Sequence, residues 1–412
     1  MRNGWTGGQY SLFRFLFGTY LFTHFAGLVP WGGELFSNRG VIPDGATSPL
    51  LHAFPNVLAL CDTPAFVTTL LVASVLLSAA FALGIRDRPA AVALWYVWAC
   101  LLGRNPLISN PSIPFVGWLL IAHALLPAAP YGSWAARGRP DPGGRWLMPG
   151  PVFAASWILM AVTYSYSGVS KLVSLSWQDG TALAYVLENP LARAGFLRGW
   201  LLSFPGVLLR AATWAALALE LFFAPLALFR RARPWLWSSL LCLHLTLLVL
   251  IDFADLTLGM VMVHLFTFDP GWVRRDEAAG GTVFFDGNCG LCHGFVRFLL
   301  AEDGSNALFR FAPLQGETSR RELPESDRLD SPSSVVLRMA DGRLLRRSAA
   351  VLSILRGLGG IWRVSAAVIG TLPRALPDRA YDVIANLRRR LFGAPANLCP
   401  MIPPGLRGRF EE

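Results

Sequence analysis

Apolar runs of membrane-crossing length recur along the first two thirds of the chain and then stop. They cover residues 11–31, 64–85, 89–104, 112–129, 150–170, 204–229, 235–252 and 256–269, which predicts about eight helical spans. The third and the last are short for a hydrocarbon core of ~30 Å. After the polar stretch Asp276 to Gly281 the periodicity changes to alternating strand and helix patterns. Thr282–Asp286 reads as a strand, Cys289–Glu302 as a helix and Ala307–Phe311 as a second strand. Ser334–Met339 and Arg343–Arg347 flank Asp341-Gly342, a strong hairpin signal, and Ser348 is placed to cap a helix over 349–358. A further helix, Asp378–Leu391, carries Ala380, Ile384, Leu387 and Leu391 on one face. Its arginines, Arg379, Arg388, Arg389 and Arg390, fall largely elsewhere, on a face that is solvated or touches anionic lipid.

The order βαβ followed by ββα is that of the thioredoxin fold. The expected fold class is therefore an α-helical polytopic membrane bundle followed by an α/β thioredoxin-like domain, with domains at 1–272 and 281–412 and a linker at 273–280. Composition agrees: of 412 residues 54% are hydrophobic and 15% charged, too apolar for an ordinary soluble enzyme. The net charge of +10 does not point to nucleic acid, because it comes from arginines clustered after the even-numbered spans. These are Arg86 and Arg88, then Arg137, Arg139 and Arg145, then Arg230, Arg231 and Arg233, then Arg274 and Arg275, with Arg2 at the start. By the positive-inside rule both termini are cytoplasmic in a cell (inner) membrane, and 32–63 and 171–203 lie outside. Leu12 to Trp31 has no small-residue cleavage pattern and reads as the first anchor. His24, His123, Arg210, Glu220, His244 and His264 fall within spans and should face the bundle interior, either as satisfied structural groups or around a polar cavity.

Six cysteines are too few and too scattered for a disulfide framework, and only Cys289 and Cys292 have chemical spacing. A helix beginning near Cys289 would point unpaired backbone N–H groups at its sulfur and favour the thiolate, with Cys292 one turn later as resolver. Asp286, three residues before the nucleophile, either relays protons to the thiols or caps the following turn. Pro332 precedes the third strand where a thioredoxin-like fold would place its cis-proline, or is an ordinary trans proline. His293 is expected to face solvent. The competing reading of the pair is a zinc half-site, for which Cys399 and His293 are the available further ligands.

Two resemblances extend these readings. Tyr166-Ser167-Gly168-Val169-Ser170-Lys171-Leu172, followed by Trp177 and Asp179-Gly180, resembles the membrane domain of the vitamin K-dependent gamma-carboxylase-like, or horizontally transferred transmembrane, family over residues 8–270. That resemblance implies a base at Lys171 and a quinone-like ligand near it, with interfacial anchoring as the alternative role for the lysine. Asn110-Pro111-Ser112 stands where the carboxylases have an assisting histidine, and their large soluble region is absent. Asp286, Cys289 and Cys292, with Ser348-Ala349-Ala350-Val351-Leu352, Tyr381-Asp382 and Cys399-Pro400, resemble the DCC family of thiol-disulfide oxidoreductases over 281–403. This implies exchange with a disulfide- or thiol-bearing protein or small molecule, in the manner of a protein-disulfide reductase, with no added cofactor. The alternatives are a membrane enzyme acting on a peptide or lipid near Lys171, with the thiol head accessory, and a non-enzymatic scaffold or transporter.

Overall fold

The computed structural model describes residues 3–137, 146–304, 307–325, 335–392 and 404–411. The chain divides into two compact units. The first is built from Phe13–Leu126 and Pro149–Phe268, and the second from Arg2–Leu12, Pro127–Met148 and Asp269–Glu412.

Helices dominate the first unit: α1 (Gly7–Leu28, which begins in the second unit), α2 (Pro64–Leu83), α3 (Asp87–Arg104), α4 (Ile113–Leu125), α5 (Gly150–Lys171), α6 (Gly206–Leu221), α7 (Arg233–Leu250) and α8 (Ala254–Thr267). Their ends follow local chemistry. Thr63 caps α2 by accepting from the Phe66 N–H with Pro64 in the first turn, and Gly84, at φ 74°, ends it in the left-handed region that glycine adopts without strain. Helices occupy all eight predicted stretches, yet length and composition single out four as able to cross a membrane: Gly7–Phe36, Pro64–Leu83, Gly150–Lys171 and Arg233–Leu250. A fifth is added if Phe196–Leu202 and Gly206–Leu221, bent by 105° at the break, form one span. The difference from about eight has physical causes. α3 carries Asp87, Arg88 and Arg104, while α4 and α8, with 13 and 14 residues, reach only ~20 Å. Large apolar side chains stand outward on the long helices, among them Leu76, Ile158 and Trp235, the last 77% exposed.

Several buried polar groups in this unit are held by ion pairs or hydrogen bonds. Arg14 Nη1 lies 3.5 Å from Asp87 Oδ2, and His123 Nε2 lies 3.6 Å from the same oxygen. Arg104, fully buried, reaches Asp62 at 3.1 Å and donates to the carbonyls of Ser37 (3.0 Å) and Ile42 (2.7 Å), which fixes the 32–63 connection to the end of α3. Tyr164 Oη and His244 Nε2 are 2.7 Å apart, and His264 Nδ1 meets the Met260 carbonyl at 2.9 Å. Arg210 departs from expectation: it is exposed, because α6 turns that side of its first turns outward rather than into the bundle.

In the second unit β1 (Gly281–Phe285), α9 (Gly290–Asp303), β2 (Phe309–Pro313), β3 (Val336–Met339), β4 (Leu344–Arg346), α10 (Arg347–Leu358), α11 (Gly360–Gly370) and α12 (Ala375–Phe392) follow in order. The sheet runs β2-β1-β3-β4, with β1 parallel to β2 and antiparallel to β3, and β3 antiparallel to β4. A parallel β1–β2 pair requires the crossover that α9 supplies, and Asp341-Gly342, with glycine at φ 84°, turns β3 into β4. Val283, Leu299, Phe309, Phe311, Leu337, Ala350 and Ile354, all essentially inaccessible, form the core between sheet and helices. Ser348 does not cap α10. That helix starts one residue earlier at Arg347, and Ser348 Oγ donates instead to Asp378 Oδ1 at 2.5 Å.

Buried Glu302, at the end of α9, ties in the N-terminal segment. It accepts from the Gly8 N–H (2.8 Å), from Trp362 Nε1 (2.6 Å) and from the Thr6 hydroxyl. Burial outweighs these donors and pushes its carboxyl above the usual range.

Candidate thiol site

The site forms where β1 hands over to α9. Asp286 to Asn288 make the turn, and Cys289, in extended conformation at φ −117°, is the N-cap residue of α9. Its Sγ takes the place of the capping oxygen and accepts the Cys292 N–H at 3.4 Å. Cys289 and Cys292 are 4% and 5% exposed. Burial, and next the neighbouring Cys289 sulfur, push the Cys292 thiol up to about 12, so it is protonated at neutral pH.

Asp286 is buried and fully engaged. Its Oδ1 accepts from the Asn288 N–H (3.0 Å) and from Gln315 Nε2 (3.1 Å), and its Oδ2 accepts from Arg388 Nη2 (3.1 Å). Gln315 closes the loop from the other side, its Oε1 accepting the Gly287 N–H at 3.1 Å.

Arg388 is the residue that sequence reasoning placed elsewhere. It is 3% exposed rather than solvated, and its Nη1 lies 3.4 Å from Cys292 Sγ while Nη2 holds Asp286. Helix α12 brings it there through three further anchors: Tyr381 Oη accepts the Val335 N–H at 2.8 Å, Asp382 pairs with Arg347, and Asp378 takes the Ser348 hydroxyl. Ser348, Tyr381 and Asp382 are thus contacts that dock this helix. Burial raises the Tyr381 phenol above its ordinary value. His293 also departs from expectation. It is buried against Phe285, with Nε2 2.8 Å from the Gly287 carbonyl, because the first turn of α9 folds back under the loop. Pro332 and Cys399 lie outside the described residues. Among the described residues no cluster of three or more His, Cys, Asp or Glu side chains suited to a metal occurs.

Lys171 belongs to the first unit and the thiol cluster to the second. At the end of α5 it is ion-paired with Glu220, and its Nζ stands 4.6 Å from the centre of the Trp177 ring. Close approach of α5 and α6 permits the pair, since a Cβ on Gly168 would lie 2.5 Å from the Leu221 nitrogen. Asp179 folds the following turn by accepting from Thr181 N (2.9 Å) and Oγ1 (2.6 Å). A cavity of about 480 Å³ does exist in this unit, but Lys171 does not line it. Its wall includes Tyr20, His24, Trp98, Asn110 and Asp255; Asp255 Oδ1 is 2.6 Å from His24 Nδ1 and accepts from Tyr20 Oη at 3.0 Å.

Comparison with known proteins bears on the thiol site. Residues 283–394 match the DCC1-like thiol-disulfide oxidoreductase family. The chain is 33% identical over 142 residues to the uncharacterized protein YuxK of Bacillus subtilis, covering 34% of this chain and 98% of that protein. It is 32% identical over 127 residues to a chloroplastic DCC family protein of Arabidopsis thaliana, covering 30% of this chain and 73% of the relative. No solved structure matches. Through its C-terminal region, with Asp286, Cys289 and Cys292 gathered at the start of α9, the chain belongs to the DCC family of thiol-disulfide oxidoreductases.

Proposed function

We propose that the protein is a membrane-anchored, thioredoxin-like reductase of protein or small-molecule disulfides, with Cys289 as nucleophile and Cys292 as resolver. The observation that carries this is Cys289 in the capping position of α9 with the Cys292 N–H directed at its sulfur. The Cys289 thiolate attacks one sulfur of the partner's disulfide. An S–S bond forms to Cys289, the partner's bond breaks, and the departing thiolate takes the proton Cys289 gave up. Cys292 then loses its proton and attacks Cys289 Sγ, which releases the second partner sulfur as a thiol and leaves the Cys289–Cys292 disulfide. Two electrons pass to the partner, and the dithiol is restored by an external thiol reductant. The exchange itself uses no metal or organic cofactor.

The membrane body, on this reading, is a multi-pass helical bundle in the cell membrane with both termini cytoplasmic, where a reducing compartment favours disulfide reduction. The test combines the two claims. A membrane-impermeant thiol reagent, applied after reduction, should label Cys289 in inverted vesicles and not in intact cells. The purified full chain should reduce oxidised glutathione or a disulfide-bearing protein and lose this on Cys289→Ser. Labelling from outside would reverse the topology; exchange that survives the substitution would remove the chemistry.

A second reading makes the bundle the binding site for a quinone-like or other lipid-soluble substrate. The cavity beside His24 and Asp255 favours it, with apolar walls and one polar end. It relocates such a ligand away from Lys171, whose charge is already held by Glu220. A short-chain quinone should protect against photolabelling by its azido derivative in the parent chain and not in His24→Leu; unaltered protection would exclude this cavity.

A further inference from the structure

We infer that Arg388 is a catalytic residue of the second half of the exchange, the group that makes Cys292 a nucleophile once Cys289 is occupied, and that Asp286 tempers its effect. The inference rests on the exchange reaction proposed above and adds a division of labour to it.

Cys292 is almost sealed from water, and a sulfur in that position resists ionisation. In the dithiol that resistance is useful, since two thiolates in one buried site would repel each other. After capture of a partner, however, Cys289 is bonded to sulfur and carries no charge, and Cys292 has to give up its proton for the mixed disulfide to resolve. A cation is already in place: Arg388 Nη1 is 3.4 Å from Cys292 Sγ, on a side chain 3% exposed. In so dry a setting a guanidinium acts strongly on a neighbouring charge. Its full field would ionise Cys292 prematurely, and Asp286 Oδ2, 3.1 Å from Nη2, offsets it. Asp286 is kept from taking the guanidinium entirely to itself, because Asn288 and Gln315 hold its other oxygen in the turn. Arg388 stays shared between carboxylate and sulfur. Burial and the Cys289 sulfur raise the Cys292 thiol while Arg388 lowers it, so loss of the Cys289 charge tips the balance toward the thiolate at the step that needs it.

The two partners of Arg388 give the test its sign. In the full-length chain carrying Cys289→Ser, the rate of iodoacetamide alkylation at Cys292 is read by peptide mass spectrometry at fixed pH. Arg388→Met should slow it roughly tenfold, the equivalent of about one pH unit in the thiol. Asp286→Asn, close in shape, should quicken it by roughly three- to tenfold. With both cysteines present and oxidised glutathione as probe, Arg388→Met should lengthen the life of the Cys289–glutathione mixed disulfide roughly tenfold while changing its formation less than about twofold. If both substitutions move alkylation in the same direction, or Arg388→Met leaves it unchanged, the assignment is overturned. A loosened or unfolded site exposes the sulfur in both variants and therefore counts against it. If the parent chain forms no mixed disulfide, the exchange reading fails by itself, and opposite shifts in alkylation still uphold the roles of Arg388 and Asp286.

Discussion

Each unit buries a carboxylate against a cation, and the pairs differ in what else the cation meets. In the helical unit Glu220 holds Lys171, whose other neighbour is the face of Trp177; the lysine keeps about a quarter of its surface in the open. In the thiol unit Asp286 holds Arg388, which is more deeply buried and whose second neighbour is a sulfur able to gain charge. A buried ion pair by itself contributes little, since desolvation offsets most of the attraction. The lysine pair is complete and ties α5 to α6. The arginine pair leaves one edge of the guanidinium on a reactive atom. The contrast shows that a cation's second contact tells more about chemistry than its salt bridge does.

Substitutions can break or sharpen this contrast. The largest effect belongs to the cysteines: Cys289→Ser should bring disulfide reduction down to the uncatalysed background, and Cys292→Ser should trap a mixed disulfide visible on a non-reducing gel. Next is Gly168→Leu, which forces side-chain atoms onto the Leu221 backbone and should cost the helical unit about 3 kcal/mol in a detergent-solubilised unfolding measurement. Glu220→Ala should cost about 2 kcal/mol in the same assay, somewhat below a fully buried pair because Lys171 is partly solvated, and Lys171→Met combined with Glu220→Met should recover much of the loss. Thiol exchange should survive all three helical-unit changes once the protein is folded. If Lys171→Ala stopped exchange in a folded chain, the two pairs would share one reaction and the contrast would be lost.

The smallest effect concerns pH. Burial raises the Glu302 carboxyl above its ordinary value of 4.5. Between that value and the raised one, the folded chain keeps a proton that the unfolded chain has released, so stability is gained on acidification into this window and lost as pH rises through the folded value. Melting curves taken from neutral pH down toward 4.5 should show a small stabilisation in the parent chain, and Glu302→Gln should flatten it.

Local features of the thiol unit were legible in the chain. A short apolar run marked β1, Asp341-Gly342 marked the hairpin, and Cys-x-x-Cys after a strand marked the start of α9, each within a few residues of its cause. Arg388 was hidden for the opposite reason. It sits in a run of arginines whose pattern reads as a solvated face, and its partners Cys292 and Asp286 lie 96 and 102 residues earlier. His293 was misjudged because helical periodicity does not show that the Asp286–Asn288 loop folds over the first turn. In the helical unit apolar runs located each of α1 to α8, but runs such as 89–104 and 256–269 do not reveal how many are long enough to cross a bilayer. Lys171 illustrates a limit of motif reading: the motif located the lysine, and only the fold located Glu220.

The distance along the chain between the sulfur and its arginine also sets an order of events in biosynthesis. With Arg388 96 residues after Cys292, and elongation at about 5–20 residues per second, the cysteine pair leaves the ribosome roughly 5 to 20 s before the guanidinium that completes its surroundings. During that interval the nascent chain carries two thiols without their final electrostatic control. On the role inferred for Arg388, catalytic competence would come only when α12 docks, so translation itself would delay the redox chemistry until the rest of the thiol unit has been made.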